Sequence, residues 1–138
     1  MILIETSVLI QFLRGENNTQ VALFEKLIQE GQPFGISSFT YAEVLQGARD
    51  EEEYQLLDEY LGTQTLYEPH PGRETYREAA SIVFRMRKKG FTVRGLVDVL
   101  IALTAIQNDL LLLHNDKDFE FIKTVENKLM TLSDVSHA

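Results

Sequence analysis

Two carboxylates, Asp116 and Asp118, follow the apolar run Leu110-Leu-Leu-Leu113 almost at once, with only His114-Asn115 between. The start of the chain repeats the arrangement, since Met1-Ile-Leu-Ile4 runs straight into Glu5. Two more acids lie where segments change character: Glu43 in Ser38-Phe-Thr-Tyr-Ala-Glu-Val, and Asp98 between Val97 and Val99. In open parallel sheets the ligand crevice lies outside the carboxyl ends of the strands, so acids far apart in sequence can converge there. Neighbouring carboxylates in a poorly solvated cleft repel and raise one another's pKa, so a cation must sit among them. With only oxygen ligands on offer, Mg²⁺ or Mn²⁺ fits, as one or two ions. Such ions can activate a water and neutralise charge on a phosphodiester as it is cut.

Each acid also has a purely structural explanation. Thr40-Tyr-Ala-Glu43 matches a capping box, which would give Glu43 no task beyond closing a helix start. Glu5 would favour the positive end of the helix after it. Asp98 could cap its helix, but an uncompensated carboxylate between two valines is costly, which favours function. Asp116 and Asp118 are common turn formers, and His114 reads as a strand-end histidine rather than a ligand.

The elements that must position these acids alternate in type. Met1–Ile4 reads as a strand and Val8–Gly15 as a helix with a glycine stop. Residues 19–30 carry apolar positions at Val21, Leu23, Phe24, Leu27 and Ile28, the stripe of an amphipathic helix. Residues 33–37 read as a second strand, residues 38–47 as a capped helix and residues 50–61 as an acidic helix with a buried stripe. A third strand is predicted over 63–67, a long helix over 74–89 and a helix from Asp98 to Gln107 that is apolar almost all round. The leucine run is the fourth strand and Lys128–Leu132 a short fifth, with a loose tail over 133–138. Strands alternating with helices predict an α/β fold with a mostly parallel sheet and right-handed crossovers.

A chain of 138 residues suits one domain able to bury its own core. It has no cysteine, so neither a disulfide framework nor a thiolate zinc site is available, and a reducing, cytoplasmic compartment fits. No secretory leader is expected, because the apolar start is four residues long and meets Glu5. No membrane span is expected either, since the longest apolar tract is broken by Asp98. The net charge of −8 argues against gripping nucleic acid by bulk electrostatics. Seven of the thirteen basic residues nevertheless fall between Arg73 and Arg94, which predicts one basic face on an acidic body. By default its part from Arg85 to Lys89 is a solvated face near a helix C-terminus, and the aromatics Phe84, Phe91, Phe119 and Phe121 read as core rather than base-stacking platforms.

Four stretches in order, Met1-Ile-Leu-Ile-Glu5-Thr-Ser-Val-Leu-Ile, Ser38-Phe-Thr-Tyr-Ala-Glu43-Val-Leu-Gln-Gly, Gly90-Phe-Thr-Val-Arg-Gly-Leu-Val-Asp98-Val-Leu-Ile-Ala and Leu-Leu-His-Asn-Asp116-Lys-Asp118-Phe, resemble PIN domains. The likeness covers essentially the whole chain and points to VapC-type toxin ribonucleases of bacterial toxin–antitoxin pairs. It implies a three-layer α/β/α fold with four or five short strands and a Mg²⁺- or Mn²⁺-dependent endoribonuclease acting on tRNA or ribosomal RNA. It further implies a homodimer, and a VapB-type antitoxin whose C-terminal segment covers the cleft. Matched position by position, Glu5, Glu43, Asp98 and Asp116 are the expected catalytic acids, with Glu5, Asp98, Asp116 and Asp118 as metal ligands. Ser7 falls on a hydroxyl position, and Arg77, Arg85 and Lys88 are candidates for guiding the RNA backbone. The sequence departs from the family twice: Glu5 stands where aspartate is usual, and Gln11 where a further aspartate is frequent.

Two other readings remain open on sequence grounds. A PIN fold weakened by Glu5 would bind antitoxin or RNA without cutting. A receiver-like phosphoacceptor domain also groups acids at strand ends, but needs an aspartate ending a central strand and a partner lysine ending a later one, and no such pair is obvious here.

Overall fold

The computed structural model describes residues 1–92 and 94–132; the loose tail expected from Ser133 lies outside the described residues. The chain runs β1 (Ile2–Ile4), α1 (Thr6–Leu13), α2 (Thr19–Gln29), β2 (Phe34–Ser37), α3 (Ser38–Gln46), α4 (Glu51–Leu61) and β3 (Leu66–Tyr67). It continues with α5 (Arg73–Lys88), α6 (Leu96–Gln107), β4 (Leu111–Leu113) and α7 (Lys117–Val125). The four strands form one sheet in the order β3-β2-β1-β4, and every pairing is parallel. The segment expected as a fifth strand touches the sheet at a single bridge, Leu112 to Thr131, with a bond from the Leu112 N–H to the Met130 carbonyl at 2.9 Å. It borders a strand only three residues long, so there is little ladder to extend.

Strand side chains alternate between faces, and the sheet uses this to build two cores. Leu3 and Leu112 point into one, filled by Ala79, Ile82, Val83 and Met86 of α5, by α6, and by Phe119 and Ile122 of α7. Ile4, Ile36 and Leu113 point into the other, filled by Val8 and Leu9 of α1, Phe24 of α2, Val44 and Leu45 of α3, and Leu61 of α4. The result is the three-layer arrangement, with the strands apolar on both faces as parallel strands must be. In α6 every residue from Val99 to Ala105 is buried, which accounts for its lack of a polar face.

The helix α7 is absent from the sequence-based expectations, which give Asp116 and Asp118 as turn formers and no element between the leucine strand and Lys128. Asp116 caps it by accepting the Asp118 N–H at 2.9 Å, and Asp118 and Glu120 occupy its first turn, where acids favour the helix dipole. Phe119 and Ile122, three residues apart, are its buried stripe.

Candidate active site

Strands β1, β2 and β4 lie side by side and each hands over to a helix or turn at the same edge of the sheet. Glu5 ends β1 and is the cap of α1, its carboxylate accepting the Ser7 N–H at 2.9 Å. The sheet ladder continues through it, because the Glu5 N–H donates to the Leu113 carbonyl at 3.0 Å. The Ser7 hydroxyl donates to the same Glu5 oxygen and accepts the Asn115 N–H at 3.0 Å, tying the ends of β1 and β4 together. Gln11 braces the same junction: its carbonyl oxygen accepts from the Asn115 side-chain amide at 2.8 Å and from that of Asn18, which caps α2, at 3.0 Å.

Glu43 does not close a capping box. Ser37 caps α3 by accepting the Thr40 N–H at 3.0 Å, and Glu43 instead accepts the Thr6 hydroxyl at 2.7 Å. Thr6 lies 3.0 Å from the Thr40 hydroxyl, and the Ser37 hydroxyl donates to Thr40 at 3.2 Å. Because Thr6 gives its proton to Glu43, Thr40 must donate to Thr6, so the hydroxyl chain has one direction, from Ser37 through Thr40 and Thr6 to the carboxylate. Ser37 and Thr40 are wholly buried, so this chain is shielded from water.

The first turn of α6 contributes Asp98, and the start of α7 contributes Asp116 and Asp118. Asp98 is not the cap of its helix; Gly95 occupies that position. These three side chains each offer an oxygen, and the oxygens lie within 4.8 Å of one another. Among the described residues this is the group that geometry gathers for a metal. Metal–oxygen bonds of about 2.1 Å place octahedral ligands ~3–4 Å apart, so an ion needs only small adjustments of these side chains. The donor set is all carboxylate, which suits a hard divalent cation.

Glu5 and Glu43 lie outside that tight group but share its field. Burial pushes the Glu5 carboxyl up to about 8; the two bonds from Ser7 oppose this, and the Asp98 and Asp116 charges add to it. Burial likewise raises Asp98 to about 6, helped by Asp116, Glu43 and Asp118 and opposed by Arg94. Held without a cation, this cluster takes up protons that free carboxylates would release, and a cation relieves that stress. His114 is shifted down by burial, its ring against Phe119 and its Nε2 3.2 Å from Glu120.

The cations predicted to guide RNA all sit on α5 and all have company. Arg77 lies 3.9 Å from Glu74, and Lys88 stands over the Phe84 ring. Arg85 donates to the Val125 carbonyl and reaches Glu78 at 3.3 Å and Glu126 at 3.8 Å, so it fastens α5 to the end of α7. A different arginine, Arg94, lines a pocket together with Asp98 and Asp118. Its signal in the sequence was its place four residues before Asp98.

Residues 2–124 match the family model of the PIN domain. Ribonuclease VapC11 of Mycobacterium tuberculosis is 28% identical over 128 residues, covering 92% of this chain and 95% of the relative, and VapC ribonuclease Mb1587 of Mycobacterium bovis matches equally. Among solved structures, VapBC2 from Rickettsia felis bound to a promoter DNA fragment has a chain similar at a TM-score of 0.69 and 21% identity, covering 95% of this chain and 97% of that one. VapBC-1 from nontypeable Haemophilus influenzae follows at 0.68 and 21%, covering 95% and 96%. The parallel sheet with acids along one edge and the family match across nearly all of the sequence give one conclusion: the chain belongs to the PIN domain family.

Proposed function

We propose that this chain is a metal-dependent endoribonuclease, the toxin of a VapBC-type toxin–antitoxin pair, working as a single domain in the cytoplasm. The observation that carries the reading is the convergence of Asp98, Asp116 and Asp118 to within 4.8 Å at the edge of the sheet where Glu5 and Glu43 also stand. Relatives named as VapC ribonucleases along almost their whole length support it, as do structural neighbours that are VapBC complexes. Among the described residues no helix is long and apolar enough to cross a membrane.

Asp98, Asp116 and Asp118 hold the Mg²⁺ or Mn²⁺, with Glu5 completing the set from the end of β1. The ion, when bound, supplies positive charge to the phosphodiester and makes water a better nucleophile. Ser7 fixes the rotamer of Glu5 through two bonds to one oxygen, leaving the other oxygen for ligation. Glu43, aimed by Thr6, is the acid placed to accept a proton from the attacking water. Arg77 and Lys88, both exposed on α5, give RNA of the tRNA or ribosomal class a locally basic approach. A VapB-type antitoxin covers the cleft, and the toxin pairs as a homodimer.

One observation favours a second reading, a PIN domain that binds antitoxin or RNA and cuts poorly. Glu5 is buried with its carboxyl raised to about 8, so at neutral pH it is mostly protonated until a cation displaces the proton. Purified protein, free of antitoxin, is incubated with pooled tRNA and ribosomal RNA in Mg²⁺, Mn²⁺ or chelator, beside Asp98→Asn and Glu5→Asp. Metal-dependent cleavage lost in Asp98→Asn supports the ribonuclease. Cleavage that appears only in Glu5→Asp favours the binding module, and cleavage unaffected by Asp98→Asn refutes the assignment.

A further inference from the structure

Five acids face this site, and a phosphodiester carries one more negative charge. If Glu5 is neutral, one divalent ion still leaves the four remaining carboxylates in excess, so substrate must meet positive charge from elsewhere. The pocket beside the cluster provides it. Asp98 and Asp118 form its acidic rim, Met86, Val99 and Ile122 line its apolar part, and Arg94 is the one basic residue lining it. Of the α5 cations expected to guide RNA, Arg77 is paired with an acid, Arg85 with acids and a carbonyl, and Lys88 with a ring, and no residue of α5 other than Met86 lines the pocket. Arg94 is exposed and has no hydrogen bond or ion pair among the described residues; its charge reaches Asp98 only through space.

Gly95, next to it, also lines the pocket. Its φ of 170° is extended backbone that any residue adopts, and a Cβ built there would have no heavy atom within 4 Å. Neither conformation nor packing therefore requires glycine. What the missing side chain does is leave the pocket rim open beside the Arg94 guanidinium.

We propose that Arg94 is a catalytic residue of this nuclease, its guanidinium contacting the non-bridging oxygens of the phosphate being cut. The proposal rests on the ribonuclease reading. In the reaction a water oxygen bonds to phosphorus and the bond from phosphorus to one ribose oxygen breaks. The proton released by water is matched by the one taken up by the departing oxygen, leaving one strand with a phosphate monoester and the other with a hydroxyl. Negative charge grows on the non-bridging oxygens on the way, and a planar guanidinium can meet two of them at once. The apolar side of the pocket keeps that contact poorly screened.

The test compares wild type, Arg94→Ala, Arg94→Lys and Asp98→Asn by RNA cleavage in Mn²⁺, by calorimetric Mn²⁺ titration without RNA, and by thermal midpoint. Arg94→Ala is expected to cut roughly 100-fold more slowly, the scale of removing one transition-state donor. Its Mn²⁺ affinity should stay equal or tighten, because a cation beside the ligands has gone, and its midpoint should not move. Arg94→Lys should recover part of the rate as a point charge without the fork. Cleavage by Arg94→Ala within threefold of an active wild type overturns the proposal, and so does a loss of rate matched by weaker Mn²⁺ binding, which would make Arg94 a support of the acids. A folded wild type that cuts no RNA, or an Asp98→Asn that cuts normally, removes the ribonuclease reading and this proposal with it.

Discussion

Replacing Glu5 by glutamine should make the metal-free protein more stable while making it a poorer nuclease. Glu5 is 3% exposed, and its carboxyl is raised from 4.5 to about 8, chiefly by burial. A raised acid costs nothing below its unfolded pKa, and the penalty grows by about 1.4 kcal/mol per pH unit until the folded pKa is reached. The cost therefore opens near pH 4.5, comes to roughly 3 kcal/mol at pH 7 and levels off at roughly 5 kcal/mol above pH 8. Glutamine has the same shape and no proton to lose, and its carbonyl oxygen can still accept the Ser7 N–H and hydroxyl. At about 3 °C per kcal/mol for a chain of this size, the variant should melt ~10 °C above wild type at pH 7 in chelator. The two should melt together at pH 4. The assay is a pair of thermal melts at several pH values with and without Mn²⁺. Saturating Mn²⁺ should shrink the gap, since the ion stabilises the ionised wild type more. A gain that is the same at pH 4 and pH 8, or a variant less stable at pH 8 in chelator, would refute the reasoning.

Three further outcomes follow from the geometry. Mn²⁺ affinity should rise steadily from pH 5.5 to pH 8, because Asp98, at about 6, and Glu5, at about 8, must give up protons before they ligate; a flat titration profile counts against both as ligands. Thr40→Val removes the middle of a buried hydroxyl chain and should cost ~1–3 kcal/mol and slow cleavage by freeing Thr6 from its orientation, with Thr40→Ser restoring both. Melts and cleavage rates unchanged in Thr40→Val would show that Glu43 needs no such support. Gly35→Ala should destabilise by ~1–3 kcal/mol or more, since its Cβ would sit 2.7 Å from the Thr65 carbonyl and 2.5 Å from the Tyr67 ring, and a paired carbonyl cannot retreat as a ring can; an unchanged denaturation midpoint would contradict it.

The elements that the sequence announced are those whose signal is local. Four leucines in a row can be neither half-exposed nor polar-faced, and the glycines after residues 14, 30, 46, 61 and 89 stand close behind the helices they end. The acids of the site were legible for the same reason, because each follows an apolar segment directly or interrupts one. What stayed hidden depended on partners far away in the chain. Thr40-Tyr-Ala-Glu43 has the form of a capping box, yet Ser37 had already taken the cap and Thr6, 37 residues from Glu43, claimed its carboxylate. Gln11 looks like a lost charge in the sequence; in three dimensions its amide joins two loops. Residues 116–121 carried the signs of a helix start, an aspartate cap, early acids and a phenylalanine three residues before an isoleucine. The pair of aspartates masked them by looking like a turn. The basic run was visible, but which of its members faces the acids depends on where α5 ends and α6 begins.

The inner strand β1 precedes both of its sheet neighbours in the chain, and one of them, β4, follows only after β2, β3 and α6 have been made. Until residues 111–113 arrive, β1 has an open edge and the Glu5 N–H has no carbonyl to meet. Asp116 and Asp118 come later still, on a helix that closes at Val125. A chain still emerging from the ribosome can carry Glu5, Glu43 and Asp98 and yet hold no cluster. The capacity to bind an ion thus appears in one step, when β4 has paired with β1 and α7 has closed beside it. On the ribonuclease reading proposed above, the acidic cluster is incomplete until α7 has been made, and the interval between that step and a first encounter with RNA is one in which a partner could reach the cleft.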